Sequence, residues 1–262
     1  FNQHRPSRTT TGTEVEVAFV PAKLPVWAFC AGGAALLVLL LLLIAPAWAA
    51  TPEPSPDELR FILRSGGVTV SGDVVAATRS DQGRFYALLG DATGHGLPAA
   101  LTLIPLSQTF YAMAAKGFQL SSIVHELNQQ HRAHSPSDRF VAALAACYRP
   151  REGIVEVWNG GIPTALLLSS SGQVLWRFRS QNLPLGIVGS ELFSREVEAF
   201  KLPEESAQLF MYSDGLIEAE NAAGEAFGKE RLQDILQTPP AERLNRLQTS
   251  LETHLGSQPA HD

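Results

Sequence analysis

The stretch of residues 88–100 constrains the fold more than any other part of the chain. An apolar run at residues 85–89 predicts a strand that ends on Asp91, and a glycine-rich turn then leads into a helix that begins near Leu97. The two glycines of the turn allow the backbone to take positive φ values. The carboxylate of such an aspartate projects from the end of the sheet, where it can contact a ligand. An Asp before a turn also commonly caps a helix or forms an Asx turn.

Two further aspartates end apolar strands. Asp73 follows the short strand 68–70 and precedes Asp91 by eighteen residues, the length of two strands and a hairpin, so these two carboxylates can lie on neighbouring strands. Asp214 follows the apolar run 209–212. No basic residue stands beside any of the three, and such a cluster of like charges is costly unless a cation neutralises it. Carboxylate ligands favour Mg²⁺ or Mn²⁺ over zinc.

Five short blocks follow one another in order between about residues 67 and 237. They are Ser71-Gly72-Asp73, Gly90-Asp91-Ala92-Thr93-Gly94-His95-Gly96-Leu97-Pro98-Ala99-Ala100, Asn159-Gly160-Gly161-Ile162-Pro163, Leu183-Pro184-Leu185-Gly186 and Tyr212-Ser213-Asp214-Gly215-Leu216-Ile217-Glu218-Ala219, followed by Phe227-Gly228. Together they resemble the metal-dependent Ser/Thr protein phosphatases (the PPM superfamily) in their bacterial sporulation-protein-E-like form, the SpoIIE/RsbU type. The resemblance implies an α+β fold of two stacked antiparallel β-sheets flanked by helices, with a two-metal centre at one end.

The resemblance also implies roles for individual residues. Asp91 would bridge two Mn²⁺ or Mg²⁺ ions, Asp73 and the main-chain carbonyl of Ala92 would hold one of them, and Asp214 would hold the other. A further aspartate is expected at the start of a last strand, and Asp262, the final residue, is its candidate. On that expectation a ligand and a whole strand are missing, and the fragment binds metal weakly and is inactive even though its parent is an enzyme.

The implied reaction is hydrolysis of phosphoserine or phosphothreonine in a regulatory protein, such as an anti-sigma-factor antagonist. Two ions about 3.5–4 Å apart lower the pKa of a shared water and stabilise the attacking and leaving oxygens of an in-line displacement at phosphorus. No protein nucleophile is then needed, and Cys147, in an apolar strand, is predicted to be core. The general acid stays open between His95, which is close to Asp91, and a water at the metal centre.

One departure from the family pattern keeps a second function open. Related families usually have Asn-Ala-Gly-His where this chain has Asn159-Gly160-Gly161-Ile162, so no role of that histidine can be transferred. Together with the expected missing strand, this motivates an alternative, a catalytically silent, membrane-anchored signalling module with the same fold. A phosphoacceptor receiver domain that uses Asp91 is excluded, because the later strands form an antiparallel run rather than alternating with helices.

Residues 24–50 are predicted to form a single transmembrane helix. No charged residue lies between residues 24 and 52, and the apolar length suffices to cross a bilayer core of about 30 Å. Trp27 and Trp48 stand near the two expected interfaces. A secretory signal with its cleavage site near residues 47–49 is the alternative, and it fits an apolar region of this length poorly.

The lysine and arginine count around this segment slightly favours an N-terminus on the inside. The phosphatase resemblance instead implies a cytoplasmic domain on a single-pass protein of the bacterial inner membrane, and we follow the resemblance. The predicted division is an N-terminal linker (1–23), the membrane helix (24–50), a stiff Pro-rich linker (51–58) and a phosphatase domain (59–262). A strand at 15–21 that belongs to the phosphatase sheet is the alternative. The net charge of −6 argues against nucleic-acid binding, and a homodimer stays open.

Periodicity predicts the remaining elements of the domain. Helices are expected at 97–115, from 121 or 122 to about 131, at 229–236 and at 241–255, and strands at 139–148, 154–158, 165–169, 174–178 and 208–212. His125, His131 and His134 are interpreted as solvated surface residues rather than a metal site, although the last two share a helix face. Asn159 is as much a turn former as a site residue. Residues 183–186 are predicted to form a rigid loop near the mouth of the site.

Overall fold

The computed structural model describes residues 15–20, 59–61, 72–94, 97–136, 138–203 and 207–256. The strands in these ranges are β1 (Val15–Val20), β2 (Leu59–Phe61), β3 (Asp73–Arg79), β4 (Phe85–Ala92), β5 (Val141–Arg149), β6 (Ile154–Gly160), β7 (Ala165–Ser169), β8 (Val174–Phe178), β9 (Glu198–Lys201) and β10 (Ala207–Tyr212). The helices are α1 (Leu97–Ala114), α2 (Leu120–His134), α3 (Gly228–Leu236) and α4 (Pro240–Leu255), and a 3₁₀ turn covers Asp214–Leu216.

The strands form two five-stranded sheets. Sheet A has the order β2-β1-β10-β7-β8, and sheet B has the order β3-β4-β5-β6-β9. Neighbours in sheet B are all antiparallel, as predicted. Sheet A is mixed, because β1 runs parallel to both β10 and β2, so the prediction of two purely antiparallel sheets is wrong for this sheet. Parallel neighbours cannot be joined by a hairpin, and β1 and β10 come from opposite ends of the chain.

The space between the two sheets is filled by one face of each sheet. Leu89 and Leu144 of sheet B pack with Leu167 and Leu209 of sheet A, and all four side chains are buried. Successive residues of a strand point to opposite faces, so the residues next to each of these leucines in its strand face away from the other sheet. The sheets therefore stack as a sandwich, which confirms the predicted α+β architecture.

Two helices cover the outer face of each sheet. On sheet B, Phe110 of α1 and Ile123 of α2 pack in one buried cluster with Leu88 of β4. On sheet A, α3 and α4 pack over Phe210 of β10, and Leu232 of α3 is buried among them. The layers are therefore helices, sheet B, sheet A and helices, and both sheets are apolar on their two faces.

The observed elements follow the predicted ones closely from α1 onwards. Helix α1 ends one residue earlier than predicted, and α2 continues to His134, three residues beyond the predicted end. Strand β6 extends to Gly160, two residues beyond its predicted end. For the predicted elements the differences lie at the ends, where the pattern is weakest. Strand β9 (Glu198–Lys201) was not predicted.

The N-terminal part of the chain bears on the predicted domain division. Strand β1 lies between β2 and β10, in register from Val15 opposite Ala207 to Val20 opposite Tyr212. This is the alternative in which residues 15–21 contribute to the sheet of the folded domain. The predicted membrane helix (24–50) and Pro-rich linker (51–58) lie outside the described residues. In the ranges that are described, no helix is both long and apolar enough to cross a membrane.

Candidate functional site

Asp73 and Asp91 face each other across two neighbouring strands. Asp73 is the first residue of β3, so the prediction that it ends a strand is wrong, and the predicted strand 68–70 lies outside the described residues. Asp91 lies near the end of β4, and the antiparallel register pairs the two aspartates directly. Val75 and Leu89, two residues further into each strand, pack into the core between the sheets. By alternation, the two aspartates project on that same face, at the end of the sandwich, where both residues are half-buried.

The backbone beside these aspartates supplies further oxygen atoms. Gly72 is the residue before Asp73, and its carbonyl oxygen accepts a hydrogen bond from the amide of Ala92 at 2.9 Å. A Cβ atom on Gly72 would lie 3.0 Å from the carbonyl oxygen of Ala92 and 3.1 Å from that of Gly94. Two carbonyl oxygens thus converge on the space beside Gly72. Carboxylates together with main-chain carbonyls form a donor set that suits Mg²⁺ or Mn²⁺, so the residues present fit such an ion.

The turn after β4 is tied to the segment that precedes β5. The amide of Thr93 donates to the carbonyl oxygen of Phe140 at 3.0 Å, and the amide of Phe140 donates to Thr93 Oγ1 at 3.2 Å. Gly94 has a φ of 89°, as the glycine-rich turn predicts. Arg139 Nη1 lies 3.9 Å from the position that a Cβ atom on Gly94 would occupy. A guanidinium group therefore lies beside this turn, although no basic residue is close to it in sequence.

Asp214 reaches the same end of the sandwich from sheet A. It is exposed and opens the 3₁₀ turn after β10, where its carbonyl oxygen accepts the amides of Ile217 and Glu218 at 2.9 and 3.0 Å. Strand β6 ends beside the start of β5, and β7 starts beside the end of β10. Only residues 161–164 connect β6 to β7. This short connection fixes the end of β10 at the sandwich end that carries Asp91.

The turn at Gly161 brings the two sheet ends into contact. A Cβ atom on Gly161 would lie 2.9 Å from the Cβ atom of Ala142, which is the register partner of Asp91 in β5. Gly161 and Asp214 line the same groove. This contact extends the pairing of β5 with β6 by one position, since Gly160 lies opposite Ala143.

The predicted ligands are brought to one end but are not gathered into one tight cluster. Among the described residues, no group of three or more His, Cys, Asp and Glu side chains could hold a metal ion. The resemblance assigns two of the described carboxylates to each ion. Asp73 and Asp91 would bind one ion, and Asp91 and Asp214 would bind the other. Asp262, the candidate for the further aspartate, and His95, the candidate acid, lie outside the described residues. The ligand set therefore stays a prediction.

His131 is a buried residue, and its interpretation as a solvated surface histidine is wrong. Its side chain lies on the face of α2 that carries Leu127 and packs into the core. Nε2 is 3.0 Å from the carbonyl oxygen of Arg139, and Nδ1 is 3.2 Å from Ser135 Oγ. Burial lowers the pKa of His131, and the hydrogen bond to Arg139 opposes this in part.

The two other histidines of α2 do not join a metal site in the described part of the chain. His134 is exposed, and its Nδ1 lies 2.9 Å from the carbonyl oxygen of Gln130. His125 is half-buried, and its Nε2 lies 3.2 Å from Nε2 of Gln129. The interpretation as a surface residue is therefore confirmed for His134, whereas His125 is only partly exposed.

The loop 183–186 is held between α2 and β5. Leu185 and Val141 exchange two backbone hydrogen bonds, at 2.8 and 3.0 Å. The amide of Gly186 donates to Asn128 Oδ1 at 2.8 Å, and Arg132 Nη1 donates to the carbonyl oxygen of Gly186 at 2.9 Å. Asn128 and Arg132 were not identified from the sequence. The buried position of Asn128 in the apolar period of α2 is the signal that would have indicated it.

Asn159 acts as a turn former. It is buried, its Oδ1 accepts the amide of Ile162 at 3.1 Å, and its Nδ2 donates to the carbonyl oxygen of Phe178 at 3.3 Å.

Cys147 lies in the core, as predicted, and burial raises the pKa of its thiol to about 12. This thiol is therefore protonated at neutral pH and is a poor nucleophile.

Comparison with known proteins identifies the family. The family model for stage II sporulation protein E (SpoIIE) matches residues 81–262, more than half of the chain. The chain belongs to the SpoIIE family. This confirms the resemblance inferred from the five sequence blocks, and the matched region includes Asp91 and Asp214. No curated protein sequence matches the chain.

Solved structures of PP2C phosphatase domains share the fold of this SpoIIE-family chain. The RsbU and RsbW domains of Rv1364c from Mycobacterium tuberculosis are 23% identical, with a TM-score of 0.58, and the match covers 75% of this chain and 54% of that chain. The SiaA-PP2C domain of Pseudomonas aeruginosa is 19% identical, with a TM-score of 0.61 and coverage of 74% and 78%. The PP2C phosphatase domain of SpoIIE from Bacillus subtilis, with a fragment of its regulatory domain, is 18% identical, with a TM-score of 0.60 and coverage of 74% and 57%. This chain thus spans about half the length of the first and third, and the similarity establishes the fold.

Proposed function

We propose that this SpoIIE-family chain is a Mg²⁺- or Mn²⁺-dependent phosphatase that removes phosphate from phosphoserine or phosphothreonine in a regulatory protein. The observation that carries the proposal is the register of Asp73 with Asp91, beside the carbonyl oxygens of Ala92 and Gly94. Two paired carboxylates beside main-chain carbonyl oxygens supply the hard oxygen ligands that such ions bind. Membership of the SpoIIE family and the PP2C fold support phosphatase chemistry at this place.

The ligands would divide between two ions. Asp73, Asp91 and the Ala92 carbonyl would hold one ion, and Asp91, Asp214 and Asp262 would hold the other. When bound, two such ions lower the pKa of a water and neutralise charge on the phosphoryl oxygens. The chain itself holds Asp73 and Asp91 on paired strands rather than on loops, which keeps the two carboxylates in a fixed relation.

Residues around the ligands would position the substrate. The hydrogen bonds between Thr93 and Phe140 fix the turn that follows Asp91. Arg139 places a guanidinium group beside Gly94 in this turn. Because a guanidinium group binds phosphate oxygens through charge-assisted hydrogen bonds, Arg139 would attract and orient the phosphoryl group of the substrate.

The proposed substrate is a phosphorylated regulatory protein such as an anti-sigma-factor antagonist. One structure with this fold contains an RsbU domain together with an RsbW domain, and another carries a fragment of a regulatory domain. These neighbours support a regulatory partner for the present chain. The predicted single-pass anchor at residues 24–50, with a cytoplasmic domain at the bacterial inner membrane, is not part of this proposal. Strands β1 and β2 flank that segment in the chain and pair as neighbours in sheet A, whereas one membrane-spanning helix between them would separate them by the bilayer.

Phosphate release tests the proposal. The full-length protein is incubated with phosphoserine and phosphothreonine peptides, with Mn²⁺ or with EDTA. We expect release that requires Mn²⁺ and falls at least about 100-fold in Asp91→Asn, since this change removes the charge of the bridging ligand. Asp81→Asn is the matched control, because Asp81 is exposed in the β3–β4 hairpin at the far end of the strands. Equal rates in Asp91→Asn and Asp81→Asn would contradict the proposal.

A catalytically silent signalling module with the same fold is the second candidate. Its support is Ile162, which is buried where related families usually have histidine. Isothermal titration calorimetry with the partner protein separates the two candidates. A silent module binds its partner equally well in EDTA and in Mn²⁺ and releases no phosphate, whereas the phosphatase releases phosphate only with Mn²⁺.

A further inference from the structure

A groove of about 810 Å³ begins at Asp214 and runs between sheet A and helix α3. Its floor is apolar and includes Ile162, Leu166 and Leu232. Leu166 pairs in register with Arg177 of the edge strand β8, so both side chains lie on the face of sheet A that α3 covers. The groove is therefore continuous with the end of the sandwich that carries the predicted ligands.

Three cations line this groove. They are Arg177 and Arg179, at the end of β8, and Lys229, in the first turn of α3. All three are exposed, and none makes an ion pair or hydrogen bond within the described part of the chain. Among the described residues that line the groove, Asp214 alone is acidic. This local positive charge contrasts with the net charge of −6 of the whole chain.

We propose that this groove, here called the basic groove, binds an acidic segment of the phosphoprotein substrate that flanks the phosphorylated residue. The inference rests on the proposed function, because Asp214 is a predicted metal ligand. A phosphoryl group held over the aspartates places the adjoining chain of the substrate at the mouth of the groove. Acidic side chains of that segment meet Arg177, Arg179 and Lys229, and its apolar side chains meet the floor.

The shape of the groove favours a peptide segment over a small anion. Its volume is many times that of a phosphate ion, and apolar side chains lie beside the cations in its lining. Exposed cations with no partner attract an acidic peptide at low ionic strength and lose most of that attraction when salt screens them. The structure thus assigns a charge preference to the substrate, which family membership leaves open.

Binding of labelled peptides in EDTA tests the basic groove without any contribution from metal. Two phosphoserine peptides are compared by fluorescence anisotropy, one with three flanking aspartates and one with three flanking lysines. We expect the unmodified protein to bind the acidic peptide about tenfold more tightly, a preference that disappears in high salt. The variant Arg177→Glu/Arg179→Glu should prefer the basic peptide instead.

A matched control changes the net charge equally at a distant place. Arg151→Glu/Arg195→Glu alters two exposed arginines outside the groove, and it should keep the preference for the acidic peptide. Lys229→Glu tests the same groove from helix α3 if the double variant at β8 does not fold. No preference in the unmodified protein, or the same loss in the control variant, would overturn the inference.

The outcomes for the groove and for the proposed function are separate. Phosphate release from the same peptides in Mn²⁺ is measured in parallel. A protein that selects the acidic peptide and releases no phosphate would contradict the proposed function. A protein that releases phosphate from the acidic and the basic peptide with equal kcat/KM would contradict the basic groove alone.

Discussion

The Nε2 atom of His131 lies 3.0 Å from the main-chain carbonyl oxygen of Arg139. A carbonyl oxygen can only accept, so Nε2 carries the proton and the imidazole donates. This bond ties the end of α2 to the segment that enters β5 beside the predicted metal site. The loop at Gly186 packs against the same ring, because a Cβ atom on Gly186 would lie 2.3 Å from His131 Cδ2.

Acid should weaken the fold through His131. Burial lowers the pKa of His131 in the folded state, so protonation favours the unfolded state. The neutral ring contributes its full stability above about pH 6.5, which is the pKa of histidine in the unfolded state. This contribution is lost as the pH falls from there towards the lower pKa of His131 in the folded state. We expect the free energy of unfolding, measured with urea, to fall more steeply below about pH 6.5 in the unmodified protein than in His131→Gln. His134→Gln, at an exposed position, should keep the steeper slope, and equal slopes in all three proteins would refute this prediction.

Gly186→Ala should destabilise the protein more than Gly224→Ala. Both glycines have positive φ, 96° and 76°, so both substitutions carry the same kind of backbone strain. A methyl group at Gly186 also collides with His131, whereas a Cβ atom on Gly224 has no atom within 4 Å. We expect the free energy of unfolding to fall by about 1–3 kcal/mol more for Gly186→Ala, as measured by urea denaturation. Equal losses would mean that the loop is not held against α2.

Gly72→Ala should weaken metal binding. The methyl group would enter the space between the carbonyl oxygens of Ala92 and Gly94 and push them away from Asp73. We expect the affinity for Mn²⁺, measured by isothermal titration calorimetry, to fall about tenfold or more, by analogy with changes next to metal ligands. Gly189→Ala is the control, because a Cβ atom there has no atom within 4 Å and its φ is ordinary. An unchanged Mn²⁺ affinity in Gly72→Ala would show that these carbonyls do not take part.

Arg243 should be a stability residue of helix α4. It is buried and donates to Gln208 Oε1, the Ser169 carbonyl and the Thr238 carbonyl, at 2.8, 3.1 and 2.7 Å. Arg243→Met removes the donor to Gln208 Oε1 and to the Thr238 carbonyl, while the Ser169 carbonyl keeps the amide of Gly172, and we expect a cost of about 2–4 kcal/mol in the free energy of unfolding. Arg246→Met, one turn further along the same helix at an exposed position, should change it by less than about 0.5 kcal/mol. Similar losses in the two variants would be inconsistent with this account.

Mn²⁺ should raise the thermal unfolding midpoint of the protein. An ion that binds only the folded state stabilises it by about 2.7 kcal/mol at 100 times its dissociation constant. We expect the shift in differential scanning calorimetry to be lost in Asp91→Asn and retained in Asp81→Asn. A shift of the same size in both variants would place the ion elsewhere.

Much of the fold could be predicted from local pattern. The apolar period located α1, α2 and the strands β4, β5 and β6 of sheet B, because each depends on residues close together in sequence. It did not locate β3 and β9 at the two edges of that sheet. The pairing of Asp73 with Asp91 was also foreseeable, since the two residues flank one hairpin. Family membership followed from blocks that contain these residues.

Non-local contacts could not be predicted in the same way. The parallel pairing of β1 with β10 joins strands almost 190 residues apart, and no local pattern encodes such a register. The position of Arg139 beside Gly94 also depends on how separate elements pack. His131 was misjudged for another reason. Its i, i+3 relation to His134 was weighed, but not its i, i+4 relation to the buried Leu127.

The central claim is that Asp73, Asp91 and Asp214 surround divalent ions at one end of the sandwich. The most direct test is a crystal structure grown with Mn²⁺, with an anomalous difference map collected at the manganese edge. The account predicts a peak about 2.0–2.5 Å from carboxylate oxygens of both Asp73 and Asp91, and a second peak beside Asp91 and Asp214. A map without a peak between Asp73 and Asp91 at saturating Mn²⁺, or with manganese bound only elsewhere on the protein, would contradict it.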